Sequence, residues 1–161
     1  MAKKKPVVTK AMRLLKQAKI SFEAIEYEAD EVGDNFGMQI AALTKIPCEQ
    51  SFKTLVAKGS EIIVACVPVD CEVDLKKLAK ASGSKSVEMI HVKELLALTG
   101  YIRGGVSPIG MKKKYATYIH ESCLKFDKMA VSAGVCGVTL LMSPADLVRI
   151  TDGITCDIIR E

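Results

Sequence analysis

Residues 51–69 read SFKTLVAKGSEIIVACVPV, and this stretch decides the fold class. Two β-rich runs, residues 51–57 and 61–69, flank Lys58-Gly59-Ser60, which has the composition of a hairpin turn. The second run is almost wholly apolar. A strand with no polar alternation is buried on both faces, so it belongs in the middle of a sheet. An antiparallel hairpin with a central strand therefore sits at the heart of the chain.

The flanking segments mix helices with strands. Downstream, Asp74 caps a helix over residues 75–81 that Gly83 closes. VEMI is a short strand, and a short helix over residues 92–98 stops at Gly100. YATYIHE is a strand, a turn or short helix covers residues 121–126, and MAVSA and GVTLLM are two more strands. Ser143-Pro144 starts a helix, with Ser as its cap and Pro in its first turn. ITCDII is the closing strand. Upstream, residues 7–20 form an amphipathic helix, with Ala11, Leu14, Leu15 and Ala18 on one face and Lys10, Arg13, Lys16 and Lys19 around the other. FEAIEYE follows as a strand whose inner face is contested between Ile25 and Tyr27. EVGDNFG is a loop, and Asn35 caps a helix through Gln39, Ala42 and Leu43 that Pro47 ends. The pattern predicts one α+β domain around a mostly antiparallel or mixed sheet, without repeats or linkers.

Composition narrows the functional classes. The chain has 161 residues, 49% of them apolar and 5% aromatic, with no Trp. That predicts an aliphatic core in a single globular unit. The formal charge of +4 is compatible with a polyanionic partner without requiring one. No run approaches the ~18 apolar residues of a membrane span. The six cysteines include no C-x-x-C pair, and neither His91 nor His120 has a partner at ligand spacing. They read as reduced packing or surface residues of a cytoplasmic protein, with no disulfide framework and no metal. No cofactor fingerprint is present: G-x-G-x-x-G and G-x-x-x-x-G-K-[ST] are both absent.

Three features carry possible chemistry. Lys53 interrupts an apolar strand. It reads either as an edge lysine with its ammonium in water or as a cation held rigidly at the rim of a pocket. GGVSPIG, residues 104–110, is the densest glycine and proline patch. Gly104 and Gly105 permit close backbone approach, Ser107 adds a hydroxyl and Pro108 stiffens the loop. It is either a plain turn or a cradle for a carbonyl, oxyanion or phosphate. Lys112, Lys113 and Lys114 follow at once, which suits either solubility or phosphate contact. Lys3, Lys4 and Lys5 read as solubilising. No Ser/His/Asp arrangement stands out, and Tyr27 and Phe36 flank an acidic loop as ordinary anchors.

In order, the chain carries Y-E-x-D, N-F-G, F-K-T-L-V, V-P-V-x-x-x-V-D-L-K-K-L-A, G-Y-x-x-G-G-V-S-P-I-G-x-K-K-K and V-S-A-G. This set resembles the YbaK family of free-standing aminoacyl-tRNA deacylases, relatives of the editing domain inserted in bacterial prolyl-tRNA synthetases. The resemblance implies a single editing domain over residues 1–161, with a mixed, mostly antiparallel, barrel-like sheet flanked by helices. It implies trans-editing of mischarged Cys-tRNA(Pro), without a cofactor, in association with aminoacyl-tRNA and prolyl-tRNA synthetase. Lys53 and Gly104 fall on the catalytic positions. Tyr27, Phe36, Thr54, Pro108 and Ser132 fall on substrate-binding ones, with Gly105 and Ser107 in the same cradle. Lys112, Lys113 and Lys114 would contact the nucleic acid. The resemblance further implies that the substrate's own thiol is the nucleophile, leaving the chain's cysteines as bystanders. Val135, Cys136 and Thr139 depart from the family's usual pattern, which leaves open alanine or another small amino acid as the substrate. The contrasting class is a non-catalytic module that binds aminoacyl-tRNA or a synthetase.

Overall fold

A computed structural model describes residues 7–28 and 35–161. The Lys3–Lys5 trio and most of the acidic loop before Asn35 lie outside the described residues. Five α-helices and eight strands follow one another along the described chain. They run α1 (Lys10–Gln17), β1 (Phe22–Glu26), α2 (Phe36–Thr44), β2 (Phe52–Lys58), β3 (Ile62–Pro68), α3 (Leu75–Ser82), β4 (Glu88–Met89), α4 (Leu95–Thr99), β5 (Ala116–His120), β6 (Met129–Ser132), β7 (Val138–Met142), α5 (Pro144–Thr151) and β8 (Ile154–Cys156). Short 3-10 turns precede α4 and follow β5.

Local chemistry sets most boundaries. Asp74 accepts hydrogen bonds from Lys76 N at 2.9 Å and Lys77 N at 3.0 Å, a cap that contributes about 1 kcal/mol to α3. Gly83 closes the same helix in the left-handed conformation. The first helix is shorter than its amphipathic pattern: Thr9 Oγ1 accepts from Met12 N at 3.2 Å, and the chain turns away at Lys19, φ 59°. Helix α2 ends at Thr44 through a left-handed Lys45, before Pro47 is reached. Two expected caps differ. Ser143 and Asn35 occupy cap positions, but neither side chain bonds to its helix. Pro144 at the first helical position of α5 needs no N–H partner, which lessens the demand on Ser143.

The strands form two sheets, β1-β7-β6 and β4-β2-β3-β5-β8. The small sheet is antiparallel throughout. In the large one, β2 pairs antiparallel with β3 and β4, whereas β3–β5 and β5–β8 are parallel. The expected α+β domain with a mixed, mostly antiparallel sheet and flanking helices is present, but the barrel-like single sheet is not. Among the described residues no closed barrel forms. β2 is committed to β3 along its whole length and to β4 at its far end, so only its start meets the small sheet. Among the described residues the sheets join at one bridge, Ser51 to Ala130.

Two aliphatic cores result. One lies among α1, α5 and the two sheets, with Leu15, Phe52, Cys66, Ile119, Met129, Leu140 and Leu147. The other packs α3 on the far face of the large sheet, with Ile63, Ala65, Val67, Leu78, Tyr118 and Ile158. β3 feeds both: Ile63, Ala65 and Val67 point one way and Cys66 the other, which is why the strand carries no polar alternation. All six cysteines are free. Cys66 and Cys123 are buried, which pushes their thiols up to about 12 and about 11. No group of three metal-ligating side chains occurs among the described residues. No helix among them is long and apolar enough to cross a membrane.

Candidate active site

Where the two sheets meet, they leave a cavity of about 340 Å³. Residues 51–56 of the β2 edge form one wall, and Ala130, Ser132 and Thr139 of the small sheet form another. Phe36, Gly37, Ile40 and Thr44 of α2 close a third side. Helix α2 sits this close because residue 37 is glycine: a Cβ there would stand 2.8 Å from Val69 Cγ1. Met89, Ile90, Val92 and Leu95 add an apolar rim, and Arg103, Gly104 and Val106 bring the glycine-rich loop to the mouth.

Lys53 is half-buried, registered against Val67 of β3. Its neighbour Thr54 is registered against Cys66, with Oγ1 and Sγ 3.9 Å apart. Strand alternation groups Lys53 with Ser51 and Leu55 on one face of β2. Tyr27 is anchored just past β1, where its N donates to Gly137 O at 2.9 Å. Burial is the main cause raising the Tyr27 phenol above its ordinary value, so the group is protonated at neutral pH. Cys71 stands near enough to Lys53 to feel its charge, but burial and the adjacent Asp70 outweigh the lysine and raise the thiol. Cys71 is therefore held protonated, outside the cavity lining.

The glycine-rich loop resolves into parts with different work. Gly104 lines the cavity at φ 88°, a conformation that favours glycine. Gly105 is buried against the turn after β6, where a Cβ would meet Cys136 N at 2.9 Å. Ser107 is fully buried and does not line the cavity; its Oγ accepts from Ile109 N at 3.2 Å. Pro108 is buried against a second, separate cavity beside α1 and α5. The loop is tied down by Tyr101 Oη donating to Ile109 O and by Lys112 N donating to Thr99 O at 3.1 Å. GGVSPIG is thus a braced turn that presents one glycine to the cavity. Lys113 and Lys114 border the second cavity, and Lys114 pairs with Asp152. Lys112 is exposed beside Gly100. None of the three lysines lines the main cavity.

The structure therefore brings Tyr27, Phe36, Lys53, Thr54, Gly104 and Ser132 to one cavity, and leaves Gly105, Ser107, Pro108 and the lysine run out of its lining. Reading the residues in order missed Ser51, Ile40, Thr44 and Arg103, because each joins the site through contacts distant in sequence. The lining contains two cations, Lys53 and Arg103, and among the described residues no carboxylate, histidine or cysteine. Such a site can hold an anionic or carbonyl group, but presents no side chain suited to be a strong base or thiolate nucleophile.

The family model described as the aminoacyl-tRNA editing domain matches residues 37–150. The chain belongs to that family. It is 42% identical, over 95% of its own length and 94% of the relative's, to a protein of Enterococcus faecalis named as a candidate Cys-tRNA(Pro)/Cys-tRNA(Cys) deacylase, EbsC. It is 33% identical to a proline–tRNA ligase of Thermosipho africanus, over 60% of this chain and 17% of the ligase. In fold it is similar to a solved structure described as a candidate trans-editing enzyme for prolyl tRNA synthetase, with a TM-score of 0.82 and 20% identity over 96% of this chain and all of that one. The editing-domain match spans both sheets' meeting point, from Gly37 on α2 through Lys53 and Gly104 to Thr139.

Proposed function

We propose that this editing domain is a trans-acting deacylase that removes cysteine from mischarged Cys-tRNA(Pro). The observation that carries the reading is the cavity itself. It has room for an amino-acid side chain, Lys53 on a rigid strand, Gly104 at the mouth, and no carboxylate, histidine or cysteine in its described lining. The kinship with a candidate Cys-tRNA deacylase supports the same substrate.

An aminoacyl ester on tRNA is already activated, so positioning and charge stabilisation supply much of the catalysis. The substrate's thiol sulfur attacks its own ester carbonyl. An S–C bond forms, the C–O bond to the ribose breaks, and the thiol proton passes to the ribose oxygen. The products are free tRNA and a cyclic thioester of cysteine, which water then opens. Lys53 stabilises the negative charge that develops on the carbonyl oxygen or pairs with the terminal phosphate. Gly104 lets the backbone approach the terminal ribose, and Tyr27, Phe36, Thr54 and Ser132 shape the aminoacyl pocket. Gly105, Ser107 and Pro108 act from behind, holding the loop that carries Gly104. Lys112, Lys113 and Lys114 meet the tRNA backbone outside the cavity. The protein works in the cytoplasm beside prolyl-tRNA synthetase, with residues 1–161 acting as one editing domain.

The test is to incubate the purified protein with Cys-tRNA(Pro), Ala-tRNA(Pro) and Pro-tRNA(Pro) and follow loss of each acyl group. Selective loss of cysteine is expected. Selective loss of alanine would move the specificity to another small amino acid. Survival of all three, with prolyl-tRNA synthetase added, would overturn the reading.

A further inference from the structure

Among the described residues, five hydroxyl-bearing side chains besides Ser51 border the cavity, and each is engaged within the protein. Thr44 Oγ1 donates to Ile40 O at 2.8 Å, Thr139 Oγ1 donates to Val131 O at 2.9 Å, and Ser132 Oγ accepts from Gly134 N at 3.1 Å. Thr54 faces Cys66, and Tyr27 interacts with the Gly137 backbone. Ser51 differs. It is 4% exposed and lines the cavity, and its Oγ has no hydrogen-bond partner among the described residues.

The backbone around this hydroxyl is fixed. Ser51 N donates to Pro47 O at 3.0 Å, its carbonyl accepts from Val69 N at 2.9 Å, and it bridges Ala130 of the small sheet. The side chain therefore stands on an anchored backbone at the joint between the sheets, two residues before Lys53 on the same strand face. It is deeper than Lys53, which is half-buried. A buried hydroxyl without a partner is unfavourable until something in the cavity satisfies it.

We propose that Ser51 is a specificity-determining residue whose hydroxyl hydrogen-bonds the polar side-chain atom of the bound aminoacyl group. The inference rests on the deacylase reading above. With the tRNA at the mouth and the ester carbonyl near Lys53 and Gly104, the amino-acid side chain is the part that reaches deepest. A cysteine thiol there satisfies Ser51, whereas the methyl group of alanine leaves it unpaired. Sites built this way discriminate against analogues that lack the polar atom.

Two measurements test this, using hydrolysis-resistant amide analogues of the tRNA terminus, 3′-cysteinylamino-adenosine and its alanyl counterpart. Ser51→Ala should weaken binding of the cysteinyl analogue about tenfold and of the alanyl analogue less than about twofold, collapsing the preference. Equal losses, or no loss for either, overturn the proposal. Ser51→Ala should also leave the free protein at least as thermally stable as the parent. A lower Tm means that Oγ is bonded within the protein, which overturns it as well. The parent's own turnover of Cys-tRNA(Pro) separates the two ideas. An inactive parent removes the deacylase reading and the Ser51 role with it. An active parent whose analogue preference survives Ser51→Ala removes only the latter.

Discussion

Among single side chains, Lys53 offers the most direct test of the proposed chemistry. Lys53 lines the cavity without belonging to either hydrophobic core. Lys53→Ala should therefore leave the folded state close to its original stability and reduce kcat/KM for Cys-tRNA(Pro) about hundredfold or more, the usual loss when a group stabilising a developing oxyanion is removed. Parent-like turnover in a folded Lys53→Ala protein would show that the lysine does not act on the ester. Gly104 is limited by its backbone. At φ 88° any side chain is strained by about 1–2 kcal/mol, and a β-branched one also projects at the cavity mouth. Gly104→Val should lower stability modestly and abolish deacylation, and unchanged activity would reduce the loop to a turn. Both residues can be singled out in the sequence, but as alternatives: an edge lysine or a site lysine, a turn or a cradle. Their shared cavity favours the site readings, and the two variants test them.

Among the elements, helix α2 and the bracing of the glycine-rich loop shape the site. Replacing a helical glycine by alanine ordinarily stabilises by roughly 0.5–1 kcal/mol. At Gly37 the sign should reverse. The new Cβ would meet Val69 Cγ1 at 2.8 Å and Val69 Cβ at 2.9 Å, on a stiff β-branched side chain at the end of the central strand. Gly37→Ala should destabilise by about 1–2 kcal/mol and raise KM as α2 moves off the cavity. A higher Tm with unchanged KM would show that the helix accommodates the methyl. The sequence marks Phe36 and the helix around it, but gives no sign that Gly37 sets the helix's distance from Val69, because residues 37 and 69 meet only in three dimensions. Ser107 and Pro108 illustrate the same limit. Their types suit a ligand loop, yet tertiary packing turns them inward, one onto Ile109 N and the other against a separate cavity.

For the whole molecule, His120 couples stability to pH. It lies buried at the end of β5, with Nδ1 accepting from Ile158 N at 3.4 Å, a bond only the neutral tautomer with a bare Nδ1 can make. Burial is the largest influence and lowers its pKa below the ordinary 6.5, while Asp157 and Glu121 oppose that shift and Lys77 adds to it. The unfolded chain thus binds more protons than the native one as pH drops below about 6.5, so stability falls with acidification and is regained above that value. Tm measured from pH 8 to pH 5 should decline on the acid side, and His120→Gln should flatten the decline; an equal slope in both proteins would remove His120 as the cause. By itself the sequence determined the β2–β3 hairpin, the burial of β3 on both faces, the capped helix α3 and the set of motifs shared with the editing family. These depend on turn chemistry, caps and apolar periodicity, all of which act between neighbours in the chain. Only the tertiary structure decided that the strands divide into two sheets joined at Ser51 and Ala130, that the joint leaves a cavity with Lys53 in its wall, and that the Ser51 hydroxyl in that wall has no partner among the described residues. Each of these depends on residues far apart in sequence meeting in space, where packing and hydrogen-bond satisfaction, rather than local propensity, set the outcome.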